Sequence, residues 1–142
     1  MNIRPFNKSD TDDVVGLWKE CGLVVPWNDP IRDIERKMRV NPEWFLVGEL
    51  NGHIIATCMV GYEGHRGWIN YLAVKPDMQK QGLGRRMMER AEALMHDVGC
   101  AKINLMVRSS NRDVIRFYER IGYKQDAVVS MGKRIEPDIE AY

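Results

Sequence analysis

The chain has 142 residues, 44% of them hydrophobic and 29% charged, with a formal net charge of +1 at pH 7. That is enough for one domain with its own core and too little for two, and the near-neutral balance excludes wholesale binding to nucleic acid or to an anionic membrane. No apolar run approaches the ~20 residues that span a bilayer, and Cys21, Cys58 and Cys100 are odd in number, widely spaced and without a C-x-x-C pair, as free thiols in a reducing cytosol would be.

In chain order, residues 2–6 predict a short edge strand ending at Pro5. Met1 to Phe6 lacks the basic-then-apolar layout of a secretory signal, so a cytoplasmic location is expected. Ser9 or Asp10 caps a first helix, whose first turn carries Asp12 and Asp13 against the helix dipole. Val14, Leu17, Trp18 and Cys21 form its apolar stripe, and Gly22 ends it. Residues 23–27 make an unusually apolar connector. Asp29-Pro30 opens a second helix, with Ile31, Ile34 and Met38 inward and Asn41-Pro42 closing it. Arg32, Arg36, Lys37 and Arg39 read as its solvated face.

The middle of the chain is β. Residues 44–50 and 53–60 form strands joined by Asn51-Gly52, a strong short hairpin signal. Residues 61–67 turn into a buried strand at 68–74. A helix over 84–98 follows, with Met87, Ala91, Leu94, Met95 and Val98 on one face. Residues 102–107 are a continuously apolar strand, and a helix opened by Asn111 carries Val114, Phe117, Tyr118 and Ile121. Residues 123–131 predict a last strand, and residues 134–142 a polar tail. The order β-α-α-β-β-β-α-β-α-β implies a single α/β (α+β) domain over 1–142, with a mixed sheet and helices on both faces.

Between the 68–74 strand and the helix after it lies Gln79-Lys80-Gln81-Gly82-Leu83-Gly84-Arg85-Arg86. A glycine-bearing turn that opens a helix presents unpaired main-chain N–H groups at the positive end of the dipole, which is a phosphate cradle. Gly82 and Gly84 allow close approach to the main chain, and Lys80, Arg85 and Arg86 add positive charge. The spacing is neither G-x-x-x-x-G-K-[ST] nor G-x-G-x-x-G, so the nucleotide-triphosphate loop and the dinucleotide fingerprint are both excluded.

Order and motif together resemble the GCN5-related N-acetyltransferases, the GNAT family, over nearly the whole chain. Gln79-x-x-Gly82-x-Gly84 is similar to that family's acyl-CoA pyrophosphate motif Q/R-x-x-G-x-G/A. Leu72-Ala73-Val74 resembles the strand segment that pairs with the pantetheine arm. Asn111 to Tyr123 resembles the later helix pattern N-x-x-A-x-x-x-Y-x-x-x-G-F/Y, with a larger residue at or beside Ile115 in place of the small one. The resemblance implies a GNAT fold: six to seven strands splayed into a V and about four helices. It implies acetyl-CoA as cosubstrate and no metal.

On that resemblance the cofactor lies against Leu72, Ala73 and Val74, with its diphosphate over Gln79, Lys80, Gln81, Gly82, Leu83, Gly84 and Arg85 and its arm bonded by Asn111. A neutral amine attacks the thioester carbonyl, the N–H of Leu72 or Ala73 meets the oxyanion, and Tyr118 gives a proton to the departing thiolate. The family's frequent glutamate base has no counterpart here, since the corresponding positions read as Trp68, Asn70 and Met106. Glu63 and His65 are the nearest candidates, through a water, and Glu49 is a weaker one. An α-amine, with a pKa of ~7.7–8, needs a base less than a lysine ε-amine at ~10.4, which favours a peptide N-terminus or small-molecule amine as acceptor. The alternatives are an acyl-CoA-binding module without catalysis and a phosphate-binding domain unrelated to CoA. Nucleic acid and membrane are not expected partners, and a homodimer stays open.

Overall fold

A computed structural model of the chain describes residues 1–138, so the last four residues of the predicted tail lie outside the described residues. The sheet has five strands in the order β1-β2-β3-β4-β5 (Asn2–Pro5, Phe45–Leu50, His53–Tyr62, Gly67–Val74 and Ile103–Leu105). The first four are antiparallel neighbours, and β5 joins β4 in parallel. Four α-helices accompany it: α1 (Thr11–Glu20), α2 (Pro30–Lys37), α3 (Leu83–Asp97) and α4 (Arg112–Arg120). None is long and apolar enough to cross a membrane among the described residues.

Among the four α-helices only α2 has a side-chain cap at its start. Asp29 caps α2 through Oδ1, which accepts the Ile31 N–H at 2.9 Å, with Pro30 at the first helical position. The β2–β3 hairpin turns on Asn51 (φ 52°) and Gly52 (φ 79°), the pair of left-handed residues that a type I′ turn requires. Two cores lie on opposite faces of the sheet. One joins Val14, Leu17 and Trp18 of α1 and Ile34 of α2 to Phe45, Val47 and Met59. The other joins Met87, Met88, Ala91 and Met95 of α3 and Tyr118 of α4 to Leu46, Cys58, Val60 and Ile69. Strand alternation explains the division, since Leu46 and Val47 go to opposite faces.

Two expectations need correction. The sheet has five strands rather than six or seven, because residues 123–131 form no strand. This segment reaches β5 through side chains. Lys102 Nζ and Asn104 Nδ2 donate to Asp126 at 3.0 and 2.7 Å, and Ser130 Oγ donates to Met106 Sδ at 2.9 Å. Val128 and Val129 are 77% and 86% exposed, so no buried face fixes a register. An open cleft of about 1140 Å³ separates the segment from β5 and α4. The second correction concerns the solvated face of α2. Arg36 pairs with the buried carboxylate of Asp138 at 2.6 Å, and Lys37 Nζ donates to the Val60 carbonyl at 2.5 Å.

Candidate active site

The sheet opens at one place. β4 pairs with β5 only over Gly67, Trp68 and Ile69, and from Asn70 to Val74 it has a ladder partner on the β3 side alone. The opening coincides with a bulge. Met59 faces Asn70 and Thr57 faces Ala73, so Tyr71 and Leu72 together oppose Cys58. Leu72, Ala73 and Val74, the predicted arm-binding segment, therefore border a wedge between β4 and the chain after β5. Leu72, Val74, Leu105, Val107, Val114 and Phe117 all pack against the same core, that of α3 and α4.

The glycine turn stands at the mouth of this wedge. Gln79 Nε2 donates to the Val74 carbonyl at 3.0 Å, tying the turn to the end of β4. Lys80 (φ 63°) and Gly82 (φ 80°) are both left-handed, a backbone pattern that turns successive N–H groups to one side. Gln81 and Gly82 are exposed, and α3 starts immediately after them. The two glycines differ in what they do. A Cβ on Gly82 would meet nothing within 4 Å, so glycine serves its φ; a Cβ on Gly84 would meet Phe117 Cζ at 3.2 Å, so glycine lets α3 approach α4. Arg85 is paired with Glu89 at 3.4 Å, and Arg86 donates to the Met1 carbonyl at 3.0 Å.

The hydroxyls of Tyr71, Tyr118 and Tyr123 differ in what they bond. Tyr71 donates to Asp33 Oδ2 at 2.6 Å, and Tyr123 donates to Glu92 Oε2 at 2.7 Å. The Tyr118 ring is 8% exposed, in edge contact with Phe117 (5.0 Å) and Tyr123 (5.6 Å). Its hydroxyl makes no hydrogen bond with the described residues, yet no fully enclosed side-chain polar atom among them lacks a partner. The Tyr118 hydroxyl is therefore uncommitted and reachable. Burial, and secondarily Cys58, push its pKa well above the ordinary tyrosine value, so it carries its proton at any physiological pH.

The remaining predicted residues fall as follows. Asn111 lies at the start of α4, exposed, with its side chain making no cap bond. Glu63 stands in the exposed β3–β4 turn. Against a desolvation that pushes its pKa up, the main-chain N–H groups of Arg66 and His65 hold its carboxyl below the usual range, bonding it at 2.7 and 3.0 Å. The five residue-to-residue steps from Gly67 to Leu72 then separate this turn from the bulge by about 17 Å at the rise of a strand. Glu49 pairs with Arg4 at 2.8 Å on the sheet's other side. The wedge thus brings together Leu72 to Val74, the glycine turn and Tyr118, and leaves Glu63 apart. Reading the sequence missed the left-handed backbone of Tyr71 (φ 52°), for which no local signal exists.

Comparison with known proteins agrees with this geometry. The family model described as Acetyltransferase (GNAT) family matches residues 11–123. "Acetyltransferase SG1711" of Sodalis glossinidius is 45% identical over 141 residues, which is 99% of each chain. Among solved structures, the ribosomal-protein-S18-alanine N-acetyltransferase of Escherichia coli superposes with a TM-score of 0.72 at 22% identity, over 88% of this chain and 78% of that one. Naa20 of Chaetomium thermophilum, in complex with a bisubstrate analogue, does so with a TM-score of 0.72 at 23% identity, over 87% and 71%. The match of one family model to most of the chain and of a full-length relative at this identity makes the chain an acetyltransferase of the GNAT family.

Proposed function

We propose that the protein transfers an acetyl group from acetyl-CoA to the primary amine of a peptide N-terminus or small molecule. The observation that carries this reading is the coincidence of three features at one opening: the unpaired side of β4, the glycine turn at its mouth and the uncommitted Tyr118 hydroxyl. The pantetheine arm would take the place of a strand beside Leu72 to Val74, its amides meeting main-chain groups that otherwise lack a partner on that side. The diphosphate would rest on N–H groups from Gln81 to Arg85, with Gln79 holding the turn, Lys80 adding charge and Asn111 bonding the arm.

In the reaction the amine lone pair attacks the thioester carbonyl and the oxyanion is met by the Leu72 or Ala73 N–H. As the tetrahedral species collapses, the carbon–sulfur bond breaks, Tyr118 gives its proton to the leaving thiolate, and the proton that the attacking nitrogen sheds passes through solvent to restore the tyrosine. Glu63 is the weak member of the set, because its carboxylate is already bonded and distant from the bulge. Deprotonation before attack falls to solvent, which suits an α-amine whose pKa is ~7.7–8. The similarity to N-acetyltransferases, one of them bound to a bisubstrate analogue, supports the reading.

Calorimetric titration with acetyl-CoA, with ATP and NAD as controls, tests the cofactor, and thiol release across peptides and small amines tests the acceptor. Selective binding with no thiol release for any amine would leave an acyl-CoA-binding module. No binding by the folded protein would overturn the cofactor assignment.

A further inference from the structure

We propose that Tyr71 is a positioning residue for acyl transfer, its anchored side chain and carbonyl fixing the β4 bulge so that the Leu72 N–H faces the acyl site. This inference rests on the function proposed above. Tyr71 is the only residue within a strand of the described chain that has a left-handed backbone, with φ 52°. A bulky side chain there carries backbone strain and persists only where its surroundings over-determine it.

Those surroundings come from three other elements. Thr57 Oγ1 on β3 donates to the Tyr71 carbonyl at 2.8 Å while accepting the Trp18 Nε1 proton at 2.9 Å. The Tyr71 ring stacks on Trp18 of α1, with centroids 3.8 Å apart at 18°. The Tyr71 hydroxyl donates to Asp33 of α2 at 2.6 Å and accepts from Asn28 Nδ2 at 3.1 Å. Carbonyl, ring and hydroxyl are each held.

The consequence lies in the peptide unit that follows. No peptide bond in the described chain is cis, and in a planar trans unit the N–H points opposite to the carbonyl. The Tyr71 carbonyl is drawn toward Thr57, on the face that holds Trp18. The Leu72 N–H is therefore turned away from that face, toward the side whose core contains Cys58 and Tyr118. Oxyanion donor and proton donor then act on the same side of the sheet. Neither Thr57 nor the Tyr71 side chain belongs to the proposed cofactor contacts, so their effect reaches the reaction through the Leu72 peptide.

The test is the carbonyl resonance of [1-13C]acetyl-CoA bound to the wild type, Tyr71→Phe, Thr57→Val and Thr57→Ser, alongside kcat and KM with the best amine. Tyr71→Phe keeps the ring stack and removes only the hydroxyl, so it reports even if Thr57→Val folds poorly. We expect a displaced carbonyl resonance in the wild type and in Thr57→Ser. In Tyr71→Phe and Thr57→Val the displacement falls by half or more and kcat by about tenfold, with KM for acetyl-CoA within about threefold. Wild-type resonance and kcat in Tyr71→Phe would overturn the inference, as would a rise in KM at unchanged kcat. A wild type that binds no acetyl-CoA would instead overturn the proposed function, and this inference with it.

Discussion

Phe117 of α4 stands over Gly84 of α3, where an added Cβ would meet its Cζ and Cε1 at 3.2 and 3.3 Å. The same Cβ would lie 3.7 Å from Val74 Cγ2, so this contact stands beside the end of β4. Gly84→Ala gains about 1 kcal/mol of helix propensity and loses a similar amount to overpacking. Thermal stability should therefore change little while acetyl-CoA affinity falls severalfold, as Phe117 is pushed toward the arm. The double variant Gly84→Ala/Phe117→Leu should recover the affinity. Calorimetry on the three proteins checks this, and unchanged affinity in Gly84→Ala would detach the contact from the cofactor.

Gly82 fails for another reason. Its φ of 80° with open space around the Cα makes the conformation, not the volume, the constraint. Gly82→Glu adds strain, a side chain in the cradle and a charge that repels the diphosphate. Acetyl-CoA binding should disappear in a protein whose circular dichroism is native. Retained affinity would place the pyrophosphate elsewhere.

What could be read from sequence was local. Asn51-Gly52 declares its turn because the backbone demands left-handed residues there, and the Gln79 to Gly84 motif declares its turn for the same reason. Tyr71 declares nothing: its left-handed backbone is held by Trp18, Asp33 and Thr57, which lie on three other elements. Asp138 is equally silent, since its partner Arg36 is 102 positions away. Residues 123–131 show the opposite failure. Tyr123, Val128 and Val129 suit a strand, but propensity supplies no ladder partner, and the segment meets β5 through side chains instead. For the site, the motifs lead to Leu72 to Val74 and the glycine turn, which the fold brings to one opening, whereas Glu63 is spent on its own turn.

Asp138 straps the end of the described chain across the start of α2. Arg36 and the Asp29 N–H bond its carboxylate at 2.6 and 2.8 Å and bring its pKa down to about 2. A carboxyl whose folded pKa lies below the usual ~3.9 stabilises fully above about pH 4, and that contribution is lost as pH falls toward 2. The Asp29 amide should therefore lose hydrogen-exchange protection between about pH 4 and 2. Asp138→Asn should lower Tm by a few degrees at pH 7 and abolish that acid step. Asp10 and Asp126 are also depressed, so the difference between the wild-type and variant curves carries the result, and identical curves would release the strap from any role.

Tyr118→Phe removes one uncommitted hydroxyl and leaves the ring contacts with Phe117 and Tyr123. If that hydroxyl protonates the leaving thiolate, kcat should fall by about ten- to a hundredfold while acetyl-CoA affinity stays near wild type. The pH profile adds a second check. Burial keeps the Tyr118 pKa above its ordinary value, so the proton donor persists as pH rises. Wild-type kcat/KM should climb with deprotonation of the acceptor amine and show no falling limb from this tyrosine below about pH 10. Acceptors of lower amine pKa should move the climb to lower pH without adding a falling limb. A variant with wild-type turnover would reduce Tyr118 to a member of the core between α3 and α4, and the thiolate would then leave without its help.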